Sequence, residues 1–170
     1  MEKFDVYDNN RIPLNKSYER GTKLTEGENR VVVHVCIFNS KGEMLIQQRQ
    51  PFKKGFPNMW DITLGGSSQS GETSAETMHR ELLEELGIDY DFSGTRPYFT
   101  INFDNGFDDY YFLEMDIDVS NLKLQYEEVQ AAKWASKEEI LELRKAGKFI
   151  PYYESFLLAL FDFRKKRGVF

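Results

Sequence analysis

The strongest chemical signal in the sequence is an acidic segment that contains Glu81, Glu84 and Glu85. Residues three and four positions apart share one face of an α-helix, so a helix here would bring the three carboxylates together. Like charges at these spacings repel. Arg80 lies four positions before Glu84 and can pair with it, but one positive charge offsets only part of the repulsion among three carboxylates. Hard divalent cations such as Mg²⁺ or Mn²⁺ prefer carboxylate oxygens, so this face predicts a site for one of them.

A glycine pair, Gly65 and Gly66, lies upstream of the acidic segment. Because glycine has no Cβ, the backbone of this pair can approach an ion or a substrate closely. Divalent ions beside such a loop suit phosphate chemistry, since they neutralise phosphate oxygens and lower the pKa of a bound water. The sequence holds no cluster of Cys and His that would favour structural zinc. Taken alone, three glutamates on one face are more often a solvated helix surface than a metal site.

The segment Gly66–Ile88 resembles the signature of the Nudix hydrolases. That signature reads G-x5-E-x7-R-E-U-x-E-E-x-G-U, where U is apolar, and the sequence agrees with it at every specified position. The resemblance implies Mg²⁺-dependent hydrolysis of a nucleoside diphosphate that is linked to another group. It assigns metal binding and catalysis to the three glutamates, and a further metal ligand to the Gly65 or Gly66 carbonyl. It also implies that Arg80 orients the glutamates and that Glu72 supports the loop.

Three other stretches resemble the Nudix branch that contains isopentenyl diphosphate isomerase, namely 33–39, 45–49 and 56–61. Enzymes of that branch use the same fold for isomerisation. They need a catalytic cysteine just after the tryptophan-containing strand and a metal-binding histidine two residues later. Counted from Trp60, those positions hold Gly65 and Ser67, and Cys36 lies far earlier in the chain. We therefore expect a hydrolase on an isomerase-like scaffold.

Several residues outside the acidic segment could also serve a diphosphate site. Arg49 precedes a loop and could hold a phosphate with two guanidinium nitrogens, or could be an ordinary surface arginine. Trp60 could stack on a base or pack in the core. Glu128, with its neighbour Glu127, precedes a predicted strand and could supply an extra ligand or the general base, or could be solvated. We expect His34 to be a packed, hydrogen-bonded residue rather than a ligand.

A helix is needed to present the glutamates, and local signals predict one over residues 74–86. Thr73 and Glu76 form a capping box at its start, apolar residues follow at helical spacing, and Gly87 stands at its C-terminal end. Further helices are predicted at 136–146 and 152–164. Strands are predicted at 4–7, 31–38, 44–49, 60–64, 98–103, 107–117 and 129–134.

The order of these elements is strands, helix, strands, helices, which indicates an α+β fold with a mixed or antiparallel sheet. Asn105-Gly106 predicts a type I′ hairpin turn between two of the strands. The family resemblance implies the Nudix αβα sandwich with a mixed β-sheet and a loop-helix-loop. We divide the chain into an N-terminal extension, 1–30, and a Nudix domain, 31–170. The extension could supply the contact of a homodimer.

Composition limits the classes of function. The 170 residues are 41% hydrophobic and 29% charged, which is ordinary for one globular domain. The net charge of −6 disfavours a nucleic acid as partner. No run approaches the roughly 20 apolar residues of a membrane span, and Met1–Asp5 lacks the pattern of a signal peptide. A single cysteine cannot form a disulfide within the chain, so we expect a cytoplasmic protein. The charge and the lack of a long apolar run lead us to expect action on a small molecule and not at a membrane.

The leading hypothesis is a pyrophosphohydrolase that uses Mg²⁺ or Mn²⁺ on a nucleotide or another small diphosphate. One alternative is an isomerase of the isopentenyl diphosphate type, which the residues at 65 and 67 disfavour. The other is a non-catalytic Nudix-fold protein that senses a nucleotide. That alternative predicts the loss of glutamates from the motif, and none is lost.

Overall fold

The computed structural model describes residues 2–165 and 168 of the chain. Within these residues the chain forms nine β-strands, three α-helices and one short 3₁₀ turn. The strands are β1 (Lys3–Tyr7), β2 (Pro13–Glu19), β3 (Arg30–Phe38), β4 (Met44–Arg49), β5 (Trp60–Asp61), β6 (Leu64–Ser67), β7 (Phe99–Phe103), β8 (Gly106–Glu114) and β9 (Val129–Ala135). The helices are α1 (Ser74–Leu86), α2 (Lys137–Lys145) and α3 (Glu154–Phe163), and the 3₁₀ turn is Val119–Asn121. The predicted α+β class is confirmed, and the last residues of the predicted 31–170 domain lie outside the described part.

Helix α1 has the bounds that the sequence predicts, and its caps explain why. The Thr73 amide donates to Glu76 Oε2 at 2.8 Å, and the Glu76 amide donates back to Thr73 Oγ1 at 3.3 Å. Gly87 ends the helix with a φ of 69°, which a residue with a side chain rarely adopts. The apolar stripe Met78, Leu82 and Leu86 is fully buried. The helix is therefore fixed by local signals at both ends and by packing along one side.

The prediction of a type I′ turn at Asn105-Gly106 is wrong. Phe103 pairs with Gly106 in the hairpin of β7 and β8, so the loop residues are Asp104 and Asn105. Neither they nor Gly106 have the positive φ that the predicted turn requires. Gly106 serves packing instead, because a Cβ there would lie 2.6 Å from the Arg30 carbonyl oxygen and would overlap the Phe103 ring.

The segment before β3 is more ordered than the sequence predicts, since it contains β2 as well as the expected strand near Phe4. Strands β1 and β2 form an antiparallel pair in which Phe4 lies opposite Tyr18. Most of β2 is exposed, so it has no apolar pattern of its own. Strand β1 connects this pair to the loop before α1, because the amide of Ser70 donates to the Lys3 carbonyl at 2.8 Å.

The large sheet has seven strands in the order β5-β4-β3-β8-β7, with β6 paired to β3 and β9 paired to β4. The pairs β3–β4, β4–β5, β4–β9 and β7–β8 are antiparallel, and Trp60 forms a parallel bridge with Phe149. The sheet is therefore mixed, as predicted. The predicted strand 60–64 divides into β5 and β6. In the described residues no helix is long and apolar enough to cross a membrane.

The chain divides into two compact units. The first unit comprises Met1–His34, Gly65–Glu81 and Tyr90–Tyr111, and the second comprises Val35–Leu64, Leu82–Asp89 and Phe112–Phe170. The first unit buries Val6, Val33, Met78, Phe92 and Tyr111. The second buries Cys36, Phe38, Leu45, Ile62, Ile140 and Leu157. Cys36 is a core residue, as expected, and burial raises the pKa of its thiol.

A partly buried ion pair, Arg11 with Asp109, joins the N-terminal segment of the first unit to β8. The Asp109 side chain is fully buried and accepts hydrogen bonds from Arg11 Nη1 at 2.8 Å and from Thr100 Oγ1 at 2.6 Å. Burial alone would raise the pKa of Asp109, but hydrogen bonds from Arg11, Ser74 and Thr100 outweigh it and hold the pKa below its usual value.

This pair predicts a pH-dependent stability. The pKa of Asp109 is lower in the folded protein than in the unfolded chain. Its charged form therefore adds to the free energy of unfolding above the unfolded pKa of about 3.9, and this contribution disappears as the pH falls through the pKa of the folded protein. We expect Asp109→Asn to lower the unfolding free energy by about 2 kcal/mol near neutral pH, because it leaves Arg11 without its partner charge. Urea unfolding at about pH 7 and about pH 3 should show this difference shrinking with acid. The exposed Asp162→Asn is the control, and a difference independent of pH would contradict the assignment.

Candidate active site

Helix α1 presents the three glutamates at different depths. The Glu85 side chain is almost fully buried, Glu81 is half-buried and Glu84 is exposed. The amide of Gln125 donates to the Glu85 carbonyl at 2.9 Å, which ties the helix to the segment that precedes β9. The spacing of the glutamates on one helical face therefore holds as the sequence predicts. Their catalytic and metal-binding roles stay predictions.

Glu81 occupies the space that the missing side chain of Gly66 leaves open. A Cβ built on Gly66 would lie 2.5 Å from Glu81 Oε1 and would overlap the rest of its carboxyl group. The carboxylate therefore lies directly against the backbone of β6. This close approach is a structural reason for glycine at position 66.

Arg80 joins the loop before α1 to the first glutamate of the face. Its Nε donates to Glu72 Oε1 at 2.6 Å, and its Nη2 donates to Glu72 Oε2 at 3.0 Å and to the Ser67 carbonyl at 3.2 Å. Its Nη1 lies 3.0 Å from Glu81 Oε1. The fork therefore contacts two carboxylates and one backbone carbonyl, all within the first unit.

Glu72 in turn holds the loop. Its Oε2 accepts from the Gln69 amide at 2.9 Å and from Thr77 Oγ1 at 3.0 Å. Burial would raise the pKa of Glu72, but the bonds from Arg80, Gln69 and Thr77 outweigh it and lower the pKa. The side-chain bond with Glu72 leads the causes that raise the pKa of Arg80. Both groups are therefore charged at neutral pH, and this ion pair is the geometry expected if Arg80 orients Glu81 and Glu72 supports the loop.

The donor types around α1 fit a hard divalent cation. Mg²⁺ and Mn²⁺ take carboxylate and backbone carbonyl oxygens as ligands, and the Glu81 carboxyl group lies against the backbone at Gly66. Among the described residues, however, no three His, Cys, Asp or Glu side chains are gathered closely enough to form a finished metal site. The arrangement therefore fits the chemistry of the ion without showing its full ligand set.

The predicted residues of the second unit are each engaged in local contacts. Arg49 Nε donates to the Gly55 carbonyl at 3.0 Å, which holds its guanidinium on the following loop. Trp60 is half-buried, and the centroid of its ring lies 4.7 Å from Lys133 Nζ. Glu128 pairs with Lys53.

Two backbone hydrogen bonds connect Glu128 to the C-terminal end of α1 through Gln125. The Glu128 amide donates to the Gln125 carbonyl at 3.0 Å, and the Gln125 amide donates to the Glu85 carbonyl. The structure therefore links the segment of Glu128 to α1, and the role of Glu128 as an extra ligand or general base stays a prediction. Its neighbour Glu127 is exposed.

His34 is the residue whose place sequence reasoning missed. As expected it is packed, with its ring stacked on Tyr110 at 4.7 Å between centroids. Its Nε2 lies 3.4 Å from Asp108 Oδ1, but its buried Nδ1 has no hydrogen-bond partner among the described residues. A Cβ built on Gly65 would lie 2.6 Å from this Nδ1. The alternation of β3 could have placed His34 on a sheet face, but not against Gly65.

Comparison with known proteins shows one family. The sequence pattern of the NUDIX domain matches residues 28–156. The chain is 49% identical to a Nudix hydrolase of Listeria monocytogenes over 164 residues, which cover 96% of each chain. Its structure resembles the crystal structure of DR0079 from Deinococcus radiodurans with a TM-score of 0.75 and 25% identity, over 93% of this chain and 98% of that one. The isopentenyl-diphosphate Delta-isomerase of Escherichia coli is 38% identical over 53 residues, which are 31% of this chain and 29% of that enzyme.

The contact between Gly66 and Glu81 predicts how a methyl group added at position 66 would affect metal binding. Gly66→Ala should displace the Glu81 carboxylate, which is the flexible end of its side chain, so the fold should survive. We expect Mn²⁺ affinity to fall by at least about tenfold, equivalent to about 1.4 kcal/mol. Electron paramagnetic resonance of Mn²⁺ measures the affinity, and a thermal melt in chelator checks the fold. Gly55→Ala is the matched control, since a Cβ there meets open space. Parent-like affinity in Gly66→Ala would contradict the assignment.

Proposed function

The chain belongs to the Nudix hydrolase family, and we propose that it hydrolyses the pyrophosphate bond of a nucleoside diphosphate joined to another group. The observation that carries this proposal is the Glu81 carboxylate, which lies in the space beside Gly66 and is contacted by Arg80 at 3.0 Å. The surrounding motif is complete, with every glutamate of the signature present. A protein that only sensed nucleotides would not need this constellation.

We assign the residue roles as follows. Glu81, Glu84 and Glu85 hold Mg²⁺ or Mn²⁺, with a carbonyl of Gly65 or Gly66 as a further ligand. When bound, the ion neutralises phosphate oxygens and lowers the pKa of a water.

The remaining roles fall to residues around the glutamates. Arg80 keeps the Glu81 carboxylate oriented, and Glu72 keeps Arg80 and the loop in place. A carboxylate, either Glu128 or one of the three glutamates, accepts the proton of the attacking water.

We assign substrate binding to Arg49, Trp60 and Gly65. Arg49 is held by Gly55 through Nε, which leaves its two Nη groups for a phosphate. Trp60, half-buried under Lys133, offers ring surface to a base, and Gly65 lets the substrate approach its backbone. We propose a small-molecule diphosphate rather than a nucleic acid because the net charge is −6, and we propose action in the cytoplasm.

The isomerase alternative meets a steric obstacle at Gly65. The isomerases of the family place a cysteine at this position, but here the His34 ring fills the space where its Cβ would lie. The histidine expected two residues later is Ser67. Isomerisation needs a proton donor and acceptor at the substrate carbon, and a glycine supplies neither.

The first test is the dependence of hydrolysis on metal and on the glutamates. A screen that separates the reaction products by anion-exchange chromatography should cover nucleoside diphosphates and triphosphates, nucleotide sugars, dinucleotides and isopentenyl diphosphate, with Mg²⁺ and with Mn²⁺. On the best substrate, Glu81→Gln and Glu85→Gln should each lower the rate by at least about 10²-fold, roughly 2.7 kcal/mol of transition-state stabilisation. The exposed Glu142→Gln is the control and should keep the parent rate. Full activity in excess chelator, or a parent rate in Glu85→Gln, would refute the proposal.

The second test separates hydrolysis from isomerisation, because metal dependence is common to both. We expect no interconversion of isopentenyl and dimethylallyl diphosphate, since position 65 has no side chain to carry a proton. Incubation of isopentenyl diphosphate in heavy water with Mg²⁺, followed by mass spectrometry, measures the exchange. Deuterium incorporation at an enzymatic rate would overturn the assignment as a hydrolase.

A further inference from the structure

A cavity of about 360 Å³ opens in the first unit beside the loop that precedes α1. Its walls come from the β1–β2 hairpin and the chain that follows it, from residues 67–69, and from the tip of the β7–β8 hairpin. This volume lies at the lower end of the range found for small-molecule sites. None of the residues to which the pyrophosphate chemistry was assigned lines it.

The cavity is basic although the protein is acidic. Its walls carry four cationic side chains, from Lys3, Arg20, Lys23 and Arg30, and two acidic ones, from Glu2 and Asp104. Glu2 pairs with Arg20 at 2.6 Å, whereas Lys3, Lys23 and Arg30 form no salt bridge within the described part of the chain. A local excess of positive charge in a chain of net charge −6 favours an anionic ligand.

An aromatic ring forms part of the same wall. The Phe103 ring is about one-third exposed, and its inner side occupies the space left by the missing side chain of Gly106. The guanidinium carbon of Arg30 lies 5.9 Å from the ring centroid. Arg30 Nη1 is 3.4 Å from Ser67 Oγ, a long contact that leaves the guanidinium able to bind another acceptor. The cavity therefore combines a fixed ring with cations, which is the chemistry that recognises a base and a phosphate.

Hydrogen bonds connect this cavity to the loop of the proposed active site. Asp5 of β1 accepts from Ser70 Oγ at 2.6 Å and from the Gly71 amide at 2.8 Å. Gln69, which lines the cavity, donates its amide to Glu72, the partner of Arg80. On β6, Ser67 contacts Arg30 while the preceding Gly66 contacts Glu81. A ligand in the cavity would thus be one residue along the strand from the Glu81 carboxylate.

We propose that this cavity binds a phosphorylated nucleoside, with the phosphate on Lys23 and Arg30 and the base against Phe103. Such a group has two sources, the far half of a dinucleotide substrate or a separate nucleotide. For the first source, the inference rests on the proposed pyrophosphohydrolase function. The N-terminal hairpin then acts as one wall of a ligand site.

Binding is tested by calorimetry on the full chain in excess chelator, so that no hydrolysis is required. The probes are the four nucleoside monophosphates, their nucleosides and inorganic phosphate. We expect at least one monophosphate to bind about tenfold or more tightly than its nucleoside, because the cations hold the phosphate. Lys23→Glu should weaken this binding at least about tenfold, since Lys23 is exposed and the charge reversal repels phosphate. Phe103→Leu should weaken the monophosphate but not inorganic phosphate.

Lys148→Glu is the matched control, because Lys148 is an exposed lysine of the second unit. It should bind the probes as the parent does. The proposal is overturned when no monophosphate binds the parent with a Kd below about 1 mM, a free energy of about −4.1 kcal/mol, or when Lys23→Glu binds as tightly as Lys148→Glu.

Kinetics of the same variants separate the two sources. When Lys23→Glu raises KM for a dinucleoside polyphosphate at least about tenfold, and leaves KM for a nucleoside triphosphate unchanged, the cavity holds the far half of the substrate. When every KM is unchanged and the monophosphate still depends on Lys23, the cavity holds a separate nucleotide. Intact binding in a protein that hydrolyses nothing would refute the proposed function and leave this inference standing.

Discussion

The structure around the proposed site depends on how one arginine compensates the charge of several carboxylates. Three glutamates on one helix face repel one another, and a helix that carries them needs a counter-charge or an ion. Arg80 supplies part of that charge with its planar fork, which contacts Glu72 through two nitrogens and Glu81 through a third. A lysine could not make these contacts at once, because its charge sits on a single nitrogen.

The two glycines of the site are explained by the side chains that fill their missing volume. Glu81 lies against Gly66, and His34 lies against Gly65. Consecutive residues of β6 thus face opposite sides of the strand, as the pleat requires. One side receives the carboxylate of α1, and the other receives the imidazole of β3. The glycine pair therefore does more than free the loop, because it sets the distance between β6 and the groups on both of its sides.

Local signals explain which parts of the fold the sequence could predict. The bounds of α1 follow from the capping box at Thr73 and from Gly87, which both act within a few residues. Strand β2 escaped prediction because its exposed residues carry no apolar pattern, and its order comes from pairing with β1. The turn predicted from Asn105-Gly106 was wrong because the glycine is there for packing: the Phe103 ring fills the space that a Cβ at position 106 would occupy. The residue types of the proposed site were readable from spacing, whereas the contact of His34 with Gly65 joins positions far apart in the chain.

Net charge describes the whole chain, but recognition depends on where the charges lie. The net charge of −6 argues against a polyanion that contacts a long stretch of the surface, since the negative charge of the protein would repel its phosphates. It does not argue against a single small anion, because unpaired cations in one concavity determine the local field. Lys3 begins β1, Lys23 lies in the chain that follows β2, and Arg30 begins β3. The pairing of β1 with β2 brings Lys3 and Arg20 to the same wall, since Lys3 lies opposite Glu19. The N-terminal segment thus gives an acidic protein a local basic surface beside its most acidic helix.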